Sequence, residues 1–349
     1  MIDLSDIEAI KKIDPQNTLG STEMLPQQLD VAWKQVQELS LPADLGTVSN
    51  IVFCGMGASI YGALVTKALL GADFGYPVEI VSDYHLPVFV NSNTLVVLTS
   101  YSGTTEEVLS CGFEALQKGA KMLILTKGGE LADFARKNNI PSYIFDGALN
   151  PAGVPRLGNG YTIVGLMGLL AKVGIIKLNN ENLTGAIENL KGIFGDIKDQ
   201  AKNDVQNFIG KIPVIFAAEH LAGNAQILRN QFNETSKTFS AYYLVPDLNH
   251  HLMEGLQFPN PTNLKFISFN SKNYSDKIKK RMMLTLEVVQ KNNHDIYEFT
   301  ANGDNIYQDF LQVLAYGSFL TLYLGLIYEQ NPATNLWVDF FKDKLKVLA

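Results

Sequence analysis

Cysteine is nearly absent from this sequence, which has two in 349 residues, Cys54 and Cys111. A secreted fold held together by several disulfides is therefore not indicated, and a reducing compartment fits better. The first residues of the chain also lack the basic stretch and apolar core of a secretory signal peptide. We therefore expect a cytoplasmic protein.

Charge is sparse as well. Charged residues make up 18% of the chain, and acidic residues outnumber basic ones by 35 to 28. The net charge of -7 gives no general attraction for polyanions, so we expect no nucleic-acid partner. Hydrophobic residues make up 46% of the chain, a balance typical of globular proteins, and the length suits about two domains.

Apolar runs are too short or too interrupted to span a membrane, which takes about 20 apolar residues in a helix. Two segments come close: residues 161–176 contain Lys172, and residues 311–328 contain Gln312 and Thr321. We interpret both as buried core helices and expect no membrane partner.

Several catalytic and cofactor motifs are missing too. The five histidines form no His-x-x-x-His pattern and the cysteines no Cys-x-x-Cys pattern, so there is no zinc ligand set. There is no Gly-x-Ser-x-Gly nucleophile elbow and no Walker lysine, and the loop 55–57 lacks the third glycine of a dinucleotide fingerprint. We expect no metal and no cofactor.

What the sequence does contain is a series of apolar runs, several of which end in small or hydroxylated residues. They predict strands at 51–54, 94–99, 122–126, 212–216, 264–269 and 295–299. Because helical patterns alternate with these strands, we predict parallel sheets with right-handed crossovers. The pattern restarts after a polar, helix-compatible stretch. We therefore predict an N-terminal domain with a leading helix at 1–180, a helical connector at 181–208 and a C-terminal domain at 209–349.

Hydroxyl groups cluster where the first two predicted strands end. The residues there are Gly57, Ser59, Ser100, Ser102, Thr104 and Thr105. Ligands of parallel sheets bind at the carboxyl ends of the strands, where helix N-termini offer free N–H groups. Each hydroxyl taken alone could simply cap a helix. Four hydroxyls within six residues favour a site for a phosphate dianion.

These two loops resemble the sugar isomerase (SIS) domain, a doubly wound phosphosugar-binding fold. Three later motifs resemble the bifunctional phosphoglucose/phosphomannose isomerases: Pro-Arg-Leu-Gly-Asn-Gly-Tyr at 155–161, Arg-Asn-Gln-Phe-Asn-Glu-Thr-Ser-Lys at 229–237, and Asp-Leu-Asn-His at 247–250. The resemblance runs from about residue 50 to the C-terminus. It implies an α/β protein with two doubly wound parallel-sheet SIS domains of flavodoxin-like topology. It also implies a homodimer and a hexose 6-phosphate substrate.

The resemblance implies roles for single residues. Ser59, Ser100, Ser102 and Thr105, together with Gly57, correspond to the phosphate-binding residues of the family.

Two further residues correspond to parts of the family's active site. Arg156 corresponds to an active-site arginine, and a positive group there would stabilise an enediolate. Without the resemblance, Arg156 could be a surface residue after a proline. Glu234 corresponds to the catalytic base. A carboxylate suits that role because it can remove a proton beside a carbonyl and return it to the next carbon. A lone glutamate is more often a surface charge.

His250 corresponds to the histidine that assists ring opening, a role that suits imidazole near neutral pH. Here the chain departs from the family, which has Asn-Glu where this sequence has His251 and Leu252. His251 therefore competes with His250 for the role.

Near the C-terminus, Lys342 corresponds to a lysine that reaches the active site from the last helix. Lys344 and Lys346 are close alternatives, and a basic last turn favoured by the helix dipole is another interpretation. Thr334 or Asn335 corresponds to a threonine linked to acceptance of the mannose epimer.

The expected activity is a metal-independent aldose–ketose isomerisation. It would interconvert glucose 6-phosphate, and also mannose 6-phosphate, with fructose 6-phosphate through a cis-enediol. Two alternatives stay open at this point. One is an isomerase or deaminase of another sugar phosphate, such as an amino sugar phosphate. The other is a non-catalytic phosphosugar sensor, although no DNA-binding helix-turn-helix is visible in this acidic chain.

Overall fold

A computed structural model of the protein describes residues 2–259 and 263–348. Met1 and Ala349, the outer ends of the two predicted domains, and residues 260–262 lie outside the described residues. The description below applies to the described part of the chain.

The first half of the chain forms a five-stranded parallel sheet. Its strands are β1 (Asn50–Cys54), β2 (Val78–Val81), β3 (Thr94–Ser100), β4 (Lys121–Thr126) and β5 (Ser142–Ile144). Their order is β2-β1-β3-β4-β5, and all neighbours run parallel. Every residue of the central strand β3 is buried, as expected for a parallel sheet covered on both faces. This is the flavodoxin-like order, which confirms the predicted fold class.

The second half repeats the arrangement with four parallel strands. They are β6 (Ile212–Ala218), β7 (Ala241–Val245), β8 (Leu264–Ser271) and β9 (Asp295–Ala301). Their order, β7-β6-β8-β9, matches the first four positions of the first sheet. The sequence patterns missed β2, β5 and β7, each of which lies at a sheet edge and is only partly buried. Strands β2 and β5 lack the continuous apolar run of a central parallel strand, whereas β7 is apolar in sequence and was missed all the same.

Helices cover the two sheets and connect them. The α-helices are α1 (Ile7–Ile13), α2 (Thr18–Glu23), α3 (Leu25–Glu38), α4 (Tyr61–Leu70), α5 (Glu106–Gln117), α6 (Gly129–Lys137), α7 (Gly165–Lys172), α8 (Asn180–Asp204), α9 (Ala222–Glu234), α10 (Leu252–Gly255), α11 (Asp276–Lys291), α12 (Ile306–Ile327) and α13 (Leu336–Leu348). Helix α8 occupies most of the stretch predicted as a connector.

Helix α12 is the one described helix long and apolar enough to cross a membrane. Its apolar window is completely buried inside the protein, where it packs against α8 and α9. Gln231 of α9 donates a hydrogen bond to the hydroxyl of Ser318 at 2.9 Å, which satisfies two polar groups within this core. The predicted buried core helix is therefore confirmed.

Helices α4 and α9 cross closely, and this contact positions the candidate site. Gly223 permits it, because a Cβ atom there would lie 3.1 Å from the carbonyl oxygen of Leu64. The turn Gly57–Ile60, which leads into α4, also packs against α9. The carboxyl edge of the first sheet thus faces the end of α9.

Gly103→Ala should destabilise the protein. Gly103 has a φ of +73°, and a Cβ atom there would lie 1.8 Å from the carbonyl oxygen of Gly128. We expect the free energy of unfolding to fall by about 1 kcal/mol or more, because alanine is strained at positive φ and would also clash. Urea unfolding measures the change.

The matched control is Gly185→Ala in α8, where the new methyl group meets nothing within 4 Å. Alanine is the better helix former there, so stability should stay the same or rise by up to about 1 kcal/mol. Equal losses in both variants would contradict the steric argument.

Candidate active site

The structure brings the predicted hydroxyl groups together at the carboxyl edge of the first sheet. Gly57 has a φ of +53° and starts the 3-10 turn Gly57–Ile60. Ser59 Oγ accepts a hydrogen bond from the N–H of Tyr101 at 3.0 Å, which joins the loops after β1 and β3. Ser100 Oγ accepts from the N–H of Gly103 at 3.0 Å. Both serines are buried, so their hydroxyls hold the loops in shape.

Ser102 and Thr104 form the open side of this cradle, whereas the hydroxyl of Thr105 lies 2.7 Å from that of Ser100. The hydroxyls of Ser102 and Thr104 lie 3.0 Å apart and are exposed. Thr105 precedes α5 without capping it through its side chain. The capping interpretation therefore fails for Thr105. The N-terminal N–H groups of α5 and these hydroxyls can bind an anion together.

The equivalent place on the second sheet is filled by the protein's own carboxylate. Glu219 follows β6 as Gly57 follows β1, and it too has positive φ, at 43°. Its carboxylate accepts hydrogen bonds from the N–H of Ser275 at 2.9 Å and from its hydroxyl at 2.6 Å, just before α11. A carboxylate at a helix N-terminus occupies the position an anionic ligand would take. Of these two places, the first-sheet cradle is the open one.

Arg156 is buried in the 3-10 turn Pro155–Leu157, with 2% of its surface exposed. Its guanidinium donates to the hydroxyl of Thr235 at 3.1 Å, to Oε2 of Glu234 at 3.3 Å and to the carbonyl of Pro332. Burial lowers the pKa of Arg156, and the negative charge of Glu234 opposes that shift. The interpretation of Arg156 as a surface residue is therefore wrong.

Glu234 is the last residue of α9, and 33% of its side chain is exposed. The turn Gly57–Ile60 packs against both α9 and the turn Pro155–Leu157. Burial, and then the charge of Glu234, raise the pKa of Tyr61 well above its usual value. Tyr61 follows the turn Gly57–Ile60 of the hydroxyl cradle directly. The cradle, Arg156 and Glu234 thus lie in one region, where a half-buried carboxylate is reachable from solvent.

Two neighbours of Glu234 were not predicted. Tyr61 is fully buried beside it. Lys237 donates from Nζ to the carbonyl of Glu234 at 2.5 Å. A lysine just after a helix C-terminus is a recognisable sequence signal, since cations stabilise the last carbonyl groups. The position of Tyr61 beside Glu234 has no such sequence signal, because tyrosines in apolar runs are commonly part of the core.

His250 does not meet Glu234 within one chain. It is exposed after β7, at the carboxyl edge of the second sheet, whereas Glu234 precedes β7 at the opposite edge. The five residues of β7 separate the two edges by about 16 Å, at 3.3 Å per residue. His251 lies on the same edge as His250 and pairs with Asp247 at 3.4 Å. Leu252 starts α10 beside them.

The C-terminal helix α13 is likewise outside the Arg156–Glu234 cluster. Lys342 is exposed, and within residues 2–259 and 263–348 no hydrogen bond joins it to either residue. Lys344 lies over the ring of Phe340, and Lys346 pairs with Asp343 at 3.3 Å.

The turn before α13 does reach the cluster. The carbonyl of Thr334 accepts a hydrogen bond from Lys237 at 2.6 Å, whereas Asn335 precedes α13 directly.

Among the described residues, no group of three or more His, Cys, Asp or Glu side chains could hold a metal ion. Cys54 and Cys111 are both buried free thiols.

Comparison with known proteins places this geometry in context. The family described as "Bacterial phospho-glucose isomerase C-terminal SIS domain" matches residues 197–345. The chain is 30% identical over 309 residues to the bifunctional phosphoglucose/phosphomannose isomerase of Thermoplasma acidophilum, covering 86% of this chain and 91% of the relative. It is 26% identical over 339 residues to the enzyme of the same name from Caldicellulosiruptor bescii, covering 92% and 96%.

A solved structure shows the same fold. The tagatose-6-phosphate ketose/aldose isomerase from Escherichia coli superimposes with a TM-score of 0.73, at 15% sequence identity. The match covers 91% of this chain and 94% of the other.

Proposed function

The chain belongs to the family of bifunctional phosphoglucose/phosphomannose isomerases, and we propose that it interconverts fructose 6-phosphate with glucose 6-phosphate and mannose 6-phosphate in the cytoplasm. The observation that carries the proposal is the half-buried Glu234 carboxylate, paired with the buried Arg156 beside an open hydroxyl cradle. A base, a cation and an anion site are the three parts that an aldose–ketose isomerisation of a sugar phosphate requires.

The cradle would hold the phosphate group. Ser102, Thr104 and Thr105 offer hydroxyl donors, and the first turn of α5 adds free N–H groups and the positive end of its dipole. Ser59 and Ser100 support the site by keeping the two loops together. Binding at the phosphate fixes the sugar carbons relative to the base, which lowers the entropic part of the barrier.

Glu234 would carry the proton. It removes the proton from C2 of the aldose, or from C1 of the ketose. The electrons of the broken C–H bond form the C1–C2 double bond, those of the carbonyl group move to its oxygen, and protonation of that oxygen gives the cis-enediol. When the carbon-bound proton returns, the other enediol hydroxyl loses its proton and becomes the new carbonyl group. Arg156 stabilises the negative charge that develops on the oxygens and holds the Glu234 carboxylate at 3.3 Å. Return of the proton to C1 gives the ketose. Return to either face of C2, after rotation about C2–C3, gives the glucose or the mannose epimer.

We propose a homodimer, because one chain leaves the site without its histidine. His250 lies at the opposite edge of the second sheet from Glu234, so His250 of the partner subunit would complete the site. The terminal helix gives a second reason. Trp337 and Phe341 of α13 are 77% and 60% exposed in the single chain, and a second copy would cover them. Lys342 on the same helix would then approach the sugar.

The first test is a coupled assay with fructose 6-phosphate as substrate and EDTA present. We expect both glucose 6-phosphate and mannose 6-phosphate to form, because the proposed chemistry uses side chains of the protein alone. Formation of glucose 6-phosphate alone would limit the activity to one epimer. Formation of neither product would contradict the proposed function.

The second test is subunit complementation between Glu234→Gln and His250→Ala. Each homodimer should be nearly inactive. Mixed dimers hold one site with both substitutions and one site with neither, so random mixing should restore about a quarter of the wild-type rate in a symmetric dimer. The rate is measured after the two proteins are unfolded and refolded together.

His251→Ala is the matched control, because it removes an imidazole from the same edge and should keep activity. A mixture no more active than its parents would contradict the shared site. High activity of the His250→Ala homodimer would assign ring opening to another group.

A further inference from the structure

Lys237 has no role in the mechanism above, yet it lies against the proposed base. The chain turns back after α9, and Lys237 takes a φ of +56°, which a non-glycine residue adopts only when its surroundings require it. From there its Nζ donates to the carbonyl of Glu234 at 2.5 Å and to the carbonyl of Thr334 at 2.6 Å. One ammonium group therefore joins the end of α9 to Thr334, which lies 97 residues after Lys237 in the chain.

Arg156 also joins the end of α9 to the turn before α13. Its guanidinium donates to the carbonyl of Glu234 at 3.4 Å and to the carbonyl of Pro332. The last carbonyl groups of a helix have no partner within the helix, and cations there are favourable. Two cations thus bind the end of α9 and the turn 332–334 together. The turn leads directly into α13.

We propose that Lys237 is a positioning residue of the isomerase site, a charged clasp that holds the turn 332–334 against the end of α9 and so fixes the direction of the Glu234 carboxylate. The inference rests on the proposed function of Glu234. Lys237 itself bonds to backbone carbonyl groups, so it acts through Glu234 and through the turn.

The charge of Lys237 gives the clasp a measurable signature. Burial and the neighbouring charge of Arg156 lower the pKa of Lys237 to about 8, while Glu234 opposes the shift. Arg156 belongs to the turn Pro155–Leu157, and Glu234 belongs to α9. The turn 332–334, which Lys237 also binds, contains no titratable side chain. As the pH rises through about 8, the ammonium loses a proton and its hydrogen bonds weaken. Turnover should therefore decline on the alkaline side.

The test compares Lys237→Met with Lys237→Arg in the full-length protein. Lys237→Met should lower kcat about tenfold or more, because misplacement of a reacting group by about 1 Å can cost 10²-fold. Lys237→Arg keeps a cation with a pKa far above 8, so it should retain most of kcat and lose the alkaline decline near pH 8. Lys272→Met removes a surface lysine paired with Asp304 and is the matched control, with unchanged kcat.

Three outcomes would overturn the inference while wild-type activity persists. One is a kcat of Lys237→Met within twofold of wild type. Another is an alkaline decline in Lys237→Arg identical to that of the wild type. The third is a parallel loss of kcat and of thermal stability in Lys237→Met, with no rescue by arginine, which would indicate a general structural role. Absence of isomerase activity in the wild type would instead overturn the proposed function.

Discussion

The pairing of a buried guanidinium with a half-buried carboxylate is the constraint on which this structure depends. Arg156 is 2% exposed, and a charge so far from water needs a partner and filled hydrogen bonds. It finds them on Glu234, Thr235 and Pro332, which come from two distant parts of the chain. The pairing therefore fixes the last turn of α9 and the turn before α13 relative to the first sheet. A base held in this way has a defined direction before any substrate binds.

The two sheets share a topology but differ at their carboxyl edges, and the difference explains why the proposed site lies on the first sheet. Gly57 has no side chain, so the loop after β1 leaves the cradle open. Glu219 puts a carboxylate at the equivalent place and binds it to Ser275, so the second cradle is already filled by an anion of the protein itself. The repeated fold thus has one open cradle, and one helix N-terminus that already binds a carboxylate of the protein. The two cradles differ in the residue that follows the first strand of each sheet, Gly57 after β1 and Glu219 after β6.

Much of the fold was predictable because central parallel strands carry continuous apolar runs. The central strands β1, β3, β4, β6 and β8 were predicted from such runs, and the edge strand β9 was predicted from a more mixed one. The other three edge strands, β2, β5 and β7, were missed. The cluster of hydroxyl groups after β1 and β3 was predictable from the convergence of parallel strand ends. The family resemblance predicted Glu234 and Arg156 as site residues. Their contact joins residues 78 positions apart, and no local pattern encodes such a pairing.

His250 and Lys342 show the limit of sequence reasoning in the other direction. Motif order places them in the site, but the strand β7 separates His250 from Glu234, and α13 keeps Lys342 exposed in the single chain. A sequence states which residues exist and in what order. It does not state which of them meet within one chain, because that depends on contacts formed only after folding. Lys237 follows a helix end, which is a local signal, but its second partner, the carbonyl of Thr334, becomes a neighbour only in the folded chain.

The most direct measurement is the kcat of Glu234→Gln with fructose 6-phosphate, taken together with the affinity for that sugar phosphate by calorimetry. Glutamine keeps an oxygen for Arg156 but cannot accept the substrate proton. We predict a fall in kcat of about 10²-fold or more, with affinity nearly unchanged, because general base catalysis contributes 10²–10⁴-fold. Glu219→Gln, the substitution at the filled cradle, should keep kcat. A Glu234→Gln protein that is folded and retains most of its turnover would contradict the account.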